Sequence, residues 1–304
     1  MTAFFECVPR IVVQGITGRE ARMVVGHTLA YGTPIAAGVT PGRDGHEVEG
    51  VPVFGTIDAA AVATGGPFDA AVVIVPPLAA LDAVSEAIAA GVRFVLVATE
   101  NVPRHDAMRL GALAHDAGAV VVGPNSVGVI VPELRLKLGA IGGDRPERAF
   151  APGRIGIISR SGGLTAEAAL QLRLAGLGVS TAVSIGGDSL LGTTPAAALR
   201  RFAADPATDA VVYIGEPGTR SEHLLAETFE ELATSKPLVT LLVGRFTEEF
   251  PRAMAFGHAG AVIGDEAGVP SNKERRLREA GAQVAGSFDE LVQRVRESTP
   301  AEVP

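Results

Sequence analysis

The sequence predicts an α/β protein made of two doubly wound domains, each a parallel sheet covered by helices. Short runs rich in Val and Ile recur along the chain, each followed by a Gly-containing turn and an Ala- and Leu-rich segment with helical spacing. The 304 residues suit two domains, each large enough to bury a core. Hydrophobic residues make up 47% of the chain and aromatic residues only 5%, which favours buried strands and thin helices.

The first half of the chain contains the elements of one complete domain. Apolar runs predict five strands: Arg10–Gln14, Pro34–Val39, Asp69–Val75, Val92–Ala98 and Ala119–Val122. Helical spacing predicts three helices: Gly18–Tyr31, Leu78–Ala90 and Arg104–Ala117. Because strands and helices alternate, we expect the strands to run parallel.

The same pattern restarts in the second half. Five strands are predicted at Arg154–Ile158, Val179–Ser184, Asp209–Ile214, Leu238–Val243 and Gln283–Ala285. Five helices are predicted at Gly162–Ala175, Thr194–Ala203, Glu222–Ala233, Asn272–Ala280 and Asp289–Arg296. A Gly-, Pro- and charge-rich segment with little periodicity separates the halves. We therefore expect one domain at 1–138, a linker at 139–153 and a second domain at 154–304.

The charge balance and the cysteine count exclude several classes of partner. The net charge of −8 provides no long-range attraction for nucleic acid or an anionic membrane, and no stretch of about 18 uninterrupted apolar residues is present. Cys7 is the only cysteine and the chain starts without a signal-like segment, which predicts a cytoplasmic protein. The six histidines lack zinc-site spacing, so we expect no metal ligands.

Two strand–turn–helix junctions have the composition of an anion-binding site. Gly15 and Gly18 lie between the first strand and the first helix, where backbone amides and a helix N-terminus can receive a phosphate. Ser161, Gly162 and Gly163 open the first helix of the second half in the same way. The alternatives are packing for the glycines of the first turn and N-capping for Ser161, although capping does not explain two adjacent glycines.

Three charged or titratable residues stand out in loops. Arg43 lies where a dinucleotide enzyme usually has an acidic residue, and it either pairs with a ligand phosphate or is an ordinary solvated charge. His258 lies in a compact loop among small residues, and Glu216 follows a predicted strand at the edge where such domains bind ligands. A carboxylate on one imidazole nitrogen would leave the other free to attack, but a structural histidine and a solvated glutamate are also compatible with the sequence.

Seven segments in order along the chain, QGITG, GVTPGRDG, GPNSVG, SRSGG, SIGGD, IGEPG and GHAGA, resemble the alpha subunit of succinyl-CoA synthetase. The wider group includes malate–CoA ligase and part of ATP citrate lyase. The resemblance implies a Rossmann-like CoA-binding domain followed by a flavodoxin-like ligase domain. It also implies an acid–CoA ligase that forms an acyl-CoA thioester through a phosphohistidine and an acyl phosphate, with a place in the tricarboxylic acid cycle.

The motif matches give roles to individual residues. By resemblance, His258 is the phosphorylated histidine, Glu216 orients it, and Ser161, Gly162 and Gly163 stabilise its phosphoryl group. The CoA contacts implied by the family are Thr17, Gly18, Arg19, Glu20, Arg43, Ala98, Thr99 and Glu100. The segment around Asn125 and Ser126, together with Ala166, corresponds to the substrate pocket.

The resemblance also implies a partner and leaves the acid open. Alpha subunits of this family lack a nucleotide site and the chain has no P-loop, so ATP or GTP with Mg²⁺ is expected mainly on an ATP-grasp beta subunit. Ala166 replaces a family tyrosine, and RSGG is similar to the citrate-type members. A bulkier or hydroxylated acid is therefore the alternative to a succinate-like dicarboxylate. A non-catalytic CoA-binding protein and an NAD(P)-dependent oxidoreductase are the remaining alternatives.

Overall fold

The computed structural model describes residues 2–254 and 256–299, so the last residues of the predicted second domain, 300–304, lie outside the described residues. Within these ranges the chain forms two seven-stranded sheets, one after the other. Helices pack against both, as the alternation of apolar runs and helical segments predicts.

The first sheet consists of β1 (Ile11–Gln14), β2 (Ala37–Val39), β3 (Glu47–Val48), β4 (Val51–Phe54), β5 (Ala70–Val73), β6 (Phe94–Val97) and β7 (Val120–Val122). Its helices are α1 (Arg19–Tyr31), α2 (Ile57–Thr64), α3 (Ala80–Ala89) and α4 (Arg104–Ala117). The strand order is β3-β4-β2-β1-β5-β6-β7, with only the β3–β4 pair antiparallel. Leaving out β3, this is the Rossmann order, which reverses direction between β1 and β5.

The second sheet consists of β8 (Gly128–Val131), β9 (Leu136–Leu138), β10 (Pro152–Ser159), β11 (Val179–Ser184), β12 (Ala210–Gly215), β13 (Leu238–Leu242) and β14 (Gln283–Ala285). Its helices are α5 (Gly162–Leu174), α6 (Pro195–Ala204), α7 (Ser221–Leu232), α8 (Pro270–Glu279) and α9 (Phe288–Ser298). The order is β14-β13-β12-β10-β11-β8-β9. The five strands from β10 onward follow the flavodoxin order, which reverses between β10 and β12.

The structure corrects the expectation of purely parallel sheets. Strands β8 and β9 were not predicted, and they extend the second sheet by antiparallel pairing, β8 on β11 and β9 on β8. The chain therefore leaves the first sheet after Val122 and enters the second at Gly128, before the predicted linker at 139–153. The local pattern was weak because β9 is only three residues long and has a lysine at its centre. The elements β3, β4 and α2 were also missed, since each is short.

Local capping sets where several helices begin. Thr56, Ser161, Thr194 and Ser287 precede α2, α5, α6 and α9, and each accepts a hydrogen bond from a first-turn backbone N–H. In contrast, α1 begins after Gly18, which has no side chain to cap it. The first-turn N–H groups of α1 therefore remain open to an outside acceptor.

The two sheets share part of one apolar core. Phe4 packs edge-to-face between Phe94 of the first sheet's β6 and Phe202 of α6, with ring centroids 6.1 and 5.9 Å apart. A single buried cluster contains residues of both domains, including Val13, Leu96 and Phe202. This packing fixes the two sheets against each other and with them the loops at their carboxyl edges.

None of the helices in the described part of the chain combines the length and hydropathy needed to cross a membrane.

Candidate active site

A cavity of about 470 Å³ opens at the point where the first sheet changes direction. Its walls come from the segments that follow β1, β5 and β6: Gly18, Arg19, Glu20, Ala21, Ile74, Val75, Pro76, Pro77, Ala98, Thr99 and Glu100. Six of the eight residues expected to contact CoA therefore line one cavity. Carboxyl ends of adjacent parallel strands meet at this edge, which is why three separate segments converge there.

The cavity has the features of a phosphate-accepting site. It borders the uncapped start of α1, where the backbone N–H groups and the helix dipole favour an anion. The turn before this helix must contain glycine, because Gly15 has φ +78° and a Cβ there would lie 2.1 Å from the carbonyl oxygen of Ile74. The close approach of β1 and β5 thus explains Gly15 by packing, whereas Gly18 leaves the helix start uncovered.

The other two residues expected to contact CoA lie outside the lining of this cavity. The hydroxyls of Thr17 and Thr40 lie 3.3 Å apart, which joins the β1 turn to the loop after β2. Arg43 is exposed in that loop, and its backbone N–H donates to the Thr40 carbonyl. The Thr17–Thr40 contact therefore places the Arg43 loop beside the β1 turn, while neither Thr17 nor Arg43 lines the cavity.

In the second domain the structure brings His258 and Glu216 together. Nδ1 of His258 lies 2.8 Å from Oε2 of Glu216, a carboxylate that is 8% exposed. Glu216 directly follows β12, at the strand where the second sheet changes direction, so the fold delivers it to the ligand-binding edge. The hydrogen bond that His258 donates to Glu216 raises the pKa of His258 above its ordinary value, against the opposing effects of partial burial and of Arg160.

Small residues allow the loops to close around this imidazole. A Cβ on Gly187 would lie 2.7 Å from Cδ2 of His258, so the ring packs directly on the backbone of the loop after β11. The N–H of Gly260 donates to the Gly187 carbonyl at 3.1 Å. One face of the ring is therefore held by backbone, and the side chain is still 34% exposed.

Arg160 lies beneath this loop and was not singled out from the sequence. Its side chain is buried and donates to the carbonyl oxygens of Gly187 and Asp188 at 3.4 and 2.7 Å and to the Thr219 hydroxyl at 3.2 Å. A Cβ on Gly260 would lie 2.3 Å from Nη2, which places the guanidinium against the His258 loop. The sequence contained one signal that could have pointed to Arg160. In SRSGG it is a long charged side chain among small residues, and a turn of small residues rarely needs such a side chain for packing.

Glu222 and Lys273 form a second feature that sequence reasoning missed. Both side chains are completely buried, and Nζ of Lys273 lies 2.6 Å from Oε2 of Glu222. Oε1 of Glu222 accepts from the Tyr213 hydroxyl at 2.7 Å. The two charged residues lie in the first turns of two different helices, α7 and α8, so no local pattern indicates that they meet.

The start of α5 is only partly explained by local structure. Oγ of Ser161 caps the helix by accepting from the N–H of Leu164 at 3.5 Å. A Cβ on Gly162 would meet Val127 at 2.5 Å, so packing requires this glycine. Gly163 faces open space, because a Cβ there would have no heavy atom within 4 Å. Capping and packing thus account for two of the three residues, and the lack of a side chain at Gly163 leaves the first turn accessible.

The residues expected at the substrate pocket are in three different environments. Asn125 has φ +56° and its Nδ2 donates to Oδ1 of Asp188 at 3.1 Å, next to the His258 loop. Ser126 is buried, with its hydroxyl donating to the Ser184 carbonyl, so it supports the turn. Ala166 is half-buried in α5 against an apolar cluster. Of the three, Asn125 contacts the loop after β11, whose Gly187 packs on His258.

Backbone contacts connect the two halves of the site. The carbonyl of Thr99, in the wall of the cavity, accepts from the N–H of Asn125 at 2.9 Å. The carbonyl of Asn125 in turn accepts from the N–H of Gly187 at 3.3 Å, and Gly187 packs on His258. The cavity and the imidazole are thus linked by directly contacting segments from both domains.

Among residues 2–254 and 256–299, no cluster of three or more His, Cys, Asp or Glu side chains is arranged to hold a metal ion.

Comparison with known proteins assigns the chain to a family. Residues 9–101 match the family described as CoA binding domain, and residues 152–296 match the succinyl-CoA ligase like flavodoxin domain. The chain is 39% identical over 287 residues to the alpha 1 subunit of the ADP-forming succinate–CoA ligase of Archaeoglobus fulgidus, covering 94% of both chains. This chain belongs to the succinate–CoA ligase alpha-subunit family. The predicted resemblance, the α/β class and the order of the two folds are confirmed.

The family contains members that differ in the acid they are named for. The chain is 37% identical to an ADP-forming sulfoacetate–CoA ligase subunit of Bilophila wadsworthia, covering 94% of this chain and 95% of that one. It is 27% identical to ATP citrate lyase from Methanothrix soehngenii, solved in complex with citrate and coenzyme A, with a TM-score of 0.87. That alignment covers 97% of this chain and 50% of the lyase, so the chain spans half of the longer protein.

Proposed function

We propose that this chain is the alpha subunit of a nucleoside-diphosphate-forming acid–CoA ligase, with His258 as the residue that carries the phosphoryl group. The observation that carries the proposal is the 2.8 Å contact between Nδ1 of His258 and Oε2 of Glu216. It leaves Nε2 as the nucleophilic nitrogen. A purely CoA-binding protein has no need of this pair.

The proposed reaction moves one phosphoryl group through the imidazole. Nε2 of His258 forms a bond to the γ-phosphorus of the nucleoside triphosphate as the bond from that phosphorus to the nucleoside diphosphate breaks. A carboxylate oxygen of the acid then attacks the phosphorus, which frees the imidazole and gives an acyl phosphate. Finally the thiol of coenzyme A attacks the acyl carbon, and inorganic phosphate leaves. Each step replaces a poor leaving group with a better one.

The residues around His258 would stabilise the charge that arrives with the phosphoryl group. We assign part of this role, as the family resemblance implies, to the accessible first turn of α5 at Gly163, which would supply backbone N–H groups and the positive end of a helix dipole. The buried guanidinium of Arg160 lies against Gly260 in the His258 loop. Glu216 keeps Nδ1 as the protonated nitrogen, which maintains the tautomer that attacks through Nε2.

Coenzyme A would bind in the cavity of the first domain. Its volume, its three converging loops and the uncapped start of α1 fit a phosphate-bearing ligand. We assign the contacts to the eight residues named from the sequence, with Arg43 placed to meet a phosphate from the adjoining loop. When bound, CoA supplies the thiol that accepts the acyl group, and the Thr99–Asn125–Gly187 contacts connect its cavity to His258.

The nucleotide and Mg²⁺ are proposed to bind mainly to an ATP-grasp beta subunit. The named relatives are subunits, which supports a hetero-oligomer of this chain with such a partner. The partner would have to approach His258 from solvent, where 34% of the side chain is exposed. A cytoplasmic location stays a prediction.

The acid is proposed to be a small dicarboxylate of the succinate type, as in the relatives named succinate–CoA ligase. A second candidate, a bulkier or hydroxylated acid of the malate or citrate type, is favoured by Ala166 and by the likeness to ATP citrate lyase. The smaller side chain removes a ring and a hydroxyl from the position of the family tyrosine. Sulfonated acids are a further class to test as substrates, because one relative is named for sulfoacetate.

The proposal is tested with the full chain combined with a candidate ATP-grasp beta subunit. Incubation with γ-labelled ATP or GTP should give base-stable, acid-labile label on the wild-type chain and none on H258A. Thioester formation from succinate, malate, citrate and sulfoacetate then ranks the acids. Absence of His258-dependent label, with CoA binding intact, would instead support a non-catalytic CoA-binding protein. Tight NAD(P) binding without CoA binding would support an oxidoreductase.

A further inference from the structure

A buried lysine lies directly behind the Glu216–His258 pair. Lys273 is in the first turn of α8 and its side chain is 0% exposed. Its ammonium donates to the backbone carbonyls of Glu216, at 2.7 Å, and of Gly218, and it contacts Glu222. The two carbonyls accept hydrogen bonds from the ammonium, and Glu222 contributes an ion pair.

The turn that Lys273 holds is pressed against the His258 loop on its other side. Gly218 has φ +77°, and a Cβ there would lie 2.3 Å from the carbonyl oxygen of Gly260 and 2.6 Å from that of Val262. The 216–218 turn is therefore fixed between the ammonium and the loop that carries His258. A shift of this turn would move the Glu216 carboxylate and the wall of the histidine loop together.

The charge of this lysine is balanced within the protein. Glu222 is also 0% exposed, and its second oxygen accepts from the buried Tyr213 hydroxyl. Buried ion pairs are weak contributors to stability, since well-packed apolar residues often do as well. A costly buried pair whose cation binds two carbonyls of one functional turn is better explained by the position it imposes on that turn.

We propose that Lys273 is a positioning residue for the phosphohistidine reaction. Its ammonium fixes the backbone of the Glu216–Gly218 turn, and this places Oε2 of Glu216 on Nδ1 of His258. The inference rests on the proposed function and adds to it a residue that does not touch the reacting atoms. The pair with Glu222 makes the buried charge tolerable.

The test removes the lysine without leaving an unpaired buried carboxylate. K273M/E222Q is neutral at the pair, and its new amide still accepts from Tyr213. E222Q alone retains Lys273 and its two carbonyl contacts, so comparison of these two variants isolates the lysine. If the double variant does not fold, K273Q/E222Q, which keeps an N–H donor at position 273, carries the same comparison.

Lys236 provides a matched control at the opposite edge of the sheet. Its ammonium also donates to two backbone carbonyls, those of Phe202 and Asp205, but it precedes β13 rather than following a strand. K236M therefore removes a lysine whose carbonyl contacts resemble those of Lys273 but which lies far from the carboxyl ends of the strands. We expect K236M to leave His258 unchanged.

The first readout is the pKa of His258 from a ¹⁵N-histidine NMR titration of the full chain. Glu216 raises this pKa, so loss of its position should lower the pKa towards the ordinary histidine value in K273M/E222Q but not in E222Q or K236M. A change in net charge cannot cause this decrease in the pKa of His258, because the double variant removes one positive and one negative charge. The second readout is phosphorylation by the beta subunit, expected to slow on the order of 10-fold.

An unchanged His258 pKa in a folded K273M/E222Q would overturn the proposal, as would an equal decrease in E222Q. The two proposals fail separately. If the wild-type chain takes no label on His258, the proposed function fails, yet the titration still decides whether Lys273 positions Glu216. If the wild type is labelled and the titrations coincide, only the role of Lys273 is lost.

Discussion

Glu216 and His258 are 42 residues apart in the sequence, and their side chains meet at 2.8 Å in the fold. The contact joins the carboxyl end of β12 to a loop that lies between β13 and α8. It determines which imidazole nitrogen is free, and it is the largest cause of the upward shift in the pKa of His258. The chemistry proposed for the chain depends on this contact more than on any other in the second domain.

H258A is expected to abolish phosphorylation and thioester formation while leaving CoA affinity unchanged. The side chain is the proposed phosphoryl carrier, whereas the CoA cavity lies in the other sheet. Labelling with γ-labelled nucleotide and calorimetric titration with CoA measure the two effects. An active variant would contradict the role of His258, and H223A, which changes a partly exposed histidine of α7, should remain active.

E216Q should change the pH dependence of phosphorylation. Glu216 raises the pKa of His258, so in the wild type activity falls as the pH drops through that raised value and the attacking nitrogen becomes protonated. In E216Q the pKa returns towards the ordinary value, and the acid limb moves to lower pH. The plateau rate should fall on the order of 10- to 100-fold because the ring loses its orientation. An acid limb at the same pH as in the wild type would refute this interpretation.

G187A should displace the imidazole without unfolding the protein. A Cβ at this position would lie 2.7 Å from Cδ2 of His258, and the backbone of Gly187 is not in the left-handed region. We expect phosphorylation to slow on the order of 10-fold, with little change in melting temperature. G111A is the matched control, since a Cβ there meets nothing within 4 Å. Equal activity of the two variants would contradict the predicted clash.

R43A tests whether the exposed loop after β2 meets a phosphate of CoA. Loss of one charge-assisted contact should raise the dissociation constant about tenfold, which corresponds to about 1.4 kcal/mol. R109A, which removes an exposed arginine of α4, should have no effect. Calorimetric titration at two salt concentrations makes the comparison. If both variants bind like the wild type, Arg43 is an ordinary solvated charge.

Lys137 should make stability depend on pH. Its side chain is buried in β9, and burial lowers its pKa from 10.5 to about 8. Between these values the unfolded chain binds more protons than the folded one, so the free energy of unfolding contributed by this group rises with pH. K137M should therefore be more stable than the wild type below pH 8, with the difference shrinking as the pH increases above it. Urea unfolding at several pH values checks this, and a constant difference would refute it.

The elements that could be predicted are those whose burial is periodic and whose ends carry a local signal. The helix after Ser161 begins at its cap, and α1 ends at Gly32 with φ +105°, as a left-handed C-cap requires. The strand β9 and the helix α2 were missed, because three residues with a central lysine and an eight-residue alanine-rich segment have no distinctive periodicity. Pairing in the sheet, a non-local interaction, decides such short elements.

The candidate site divides in the same way. The sequence singled out His258, Glu216 and the loops around the cavity as candidates, because glycines and charges at strand ends leave a local pattern, and the family resemblance implied their roles. It could not identify Arg160 or Lys273, whose importance comes from backbone carbonyls contributed by other elements. It also assigned Ser126 to a substrate pocket, whereas the observed contacts of this side chain are with the turn that it supports.

The order of residues along the chain thus determined the two α/β folds, the edge of each sheet where we propose that ligands bind, and the residue types available for the proposed phosphoryl transfer. Only the tertiary structure decided which of them touch. The reason is physical: periodicity and turn chemistry act over a few residues, whereas the hydrogen bond on His258 and the buried pair at Lys273 form where the second sheet and its helices bring distant loops together.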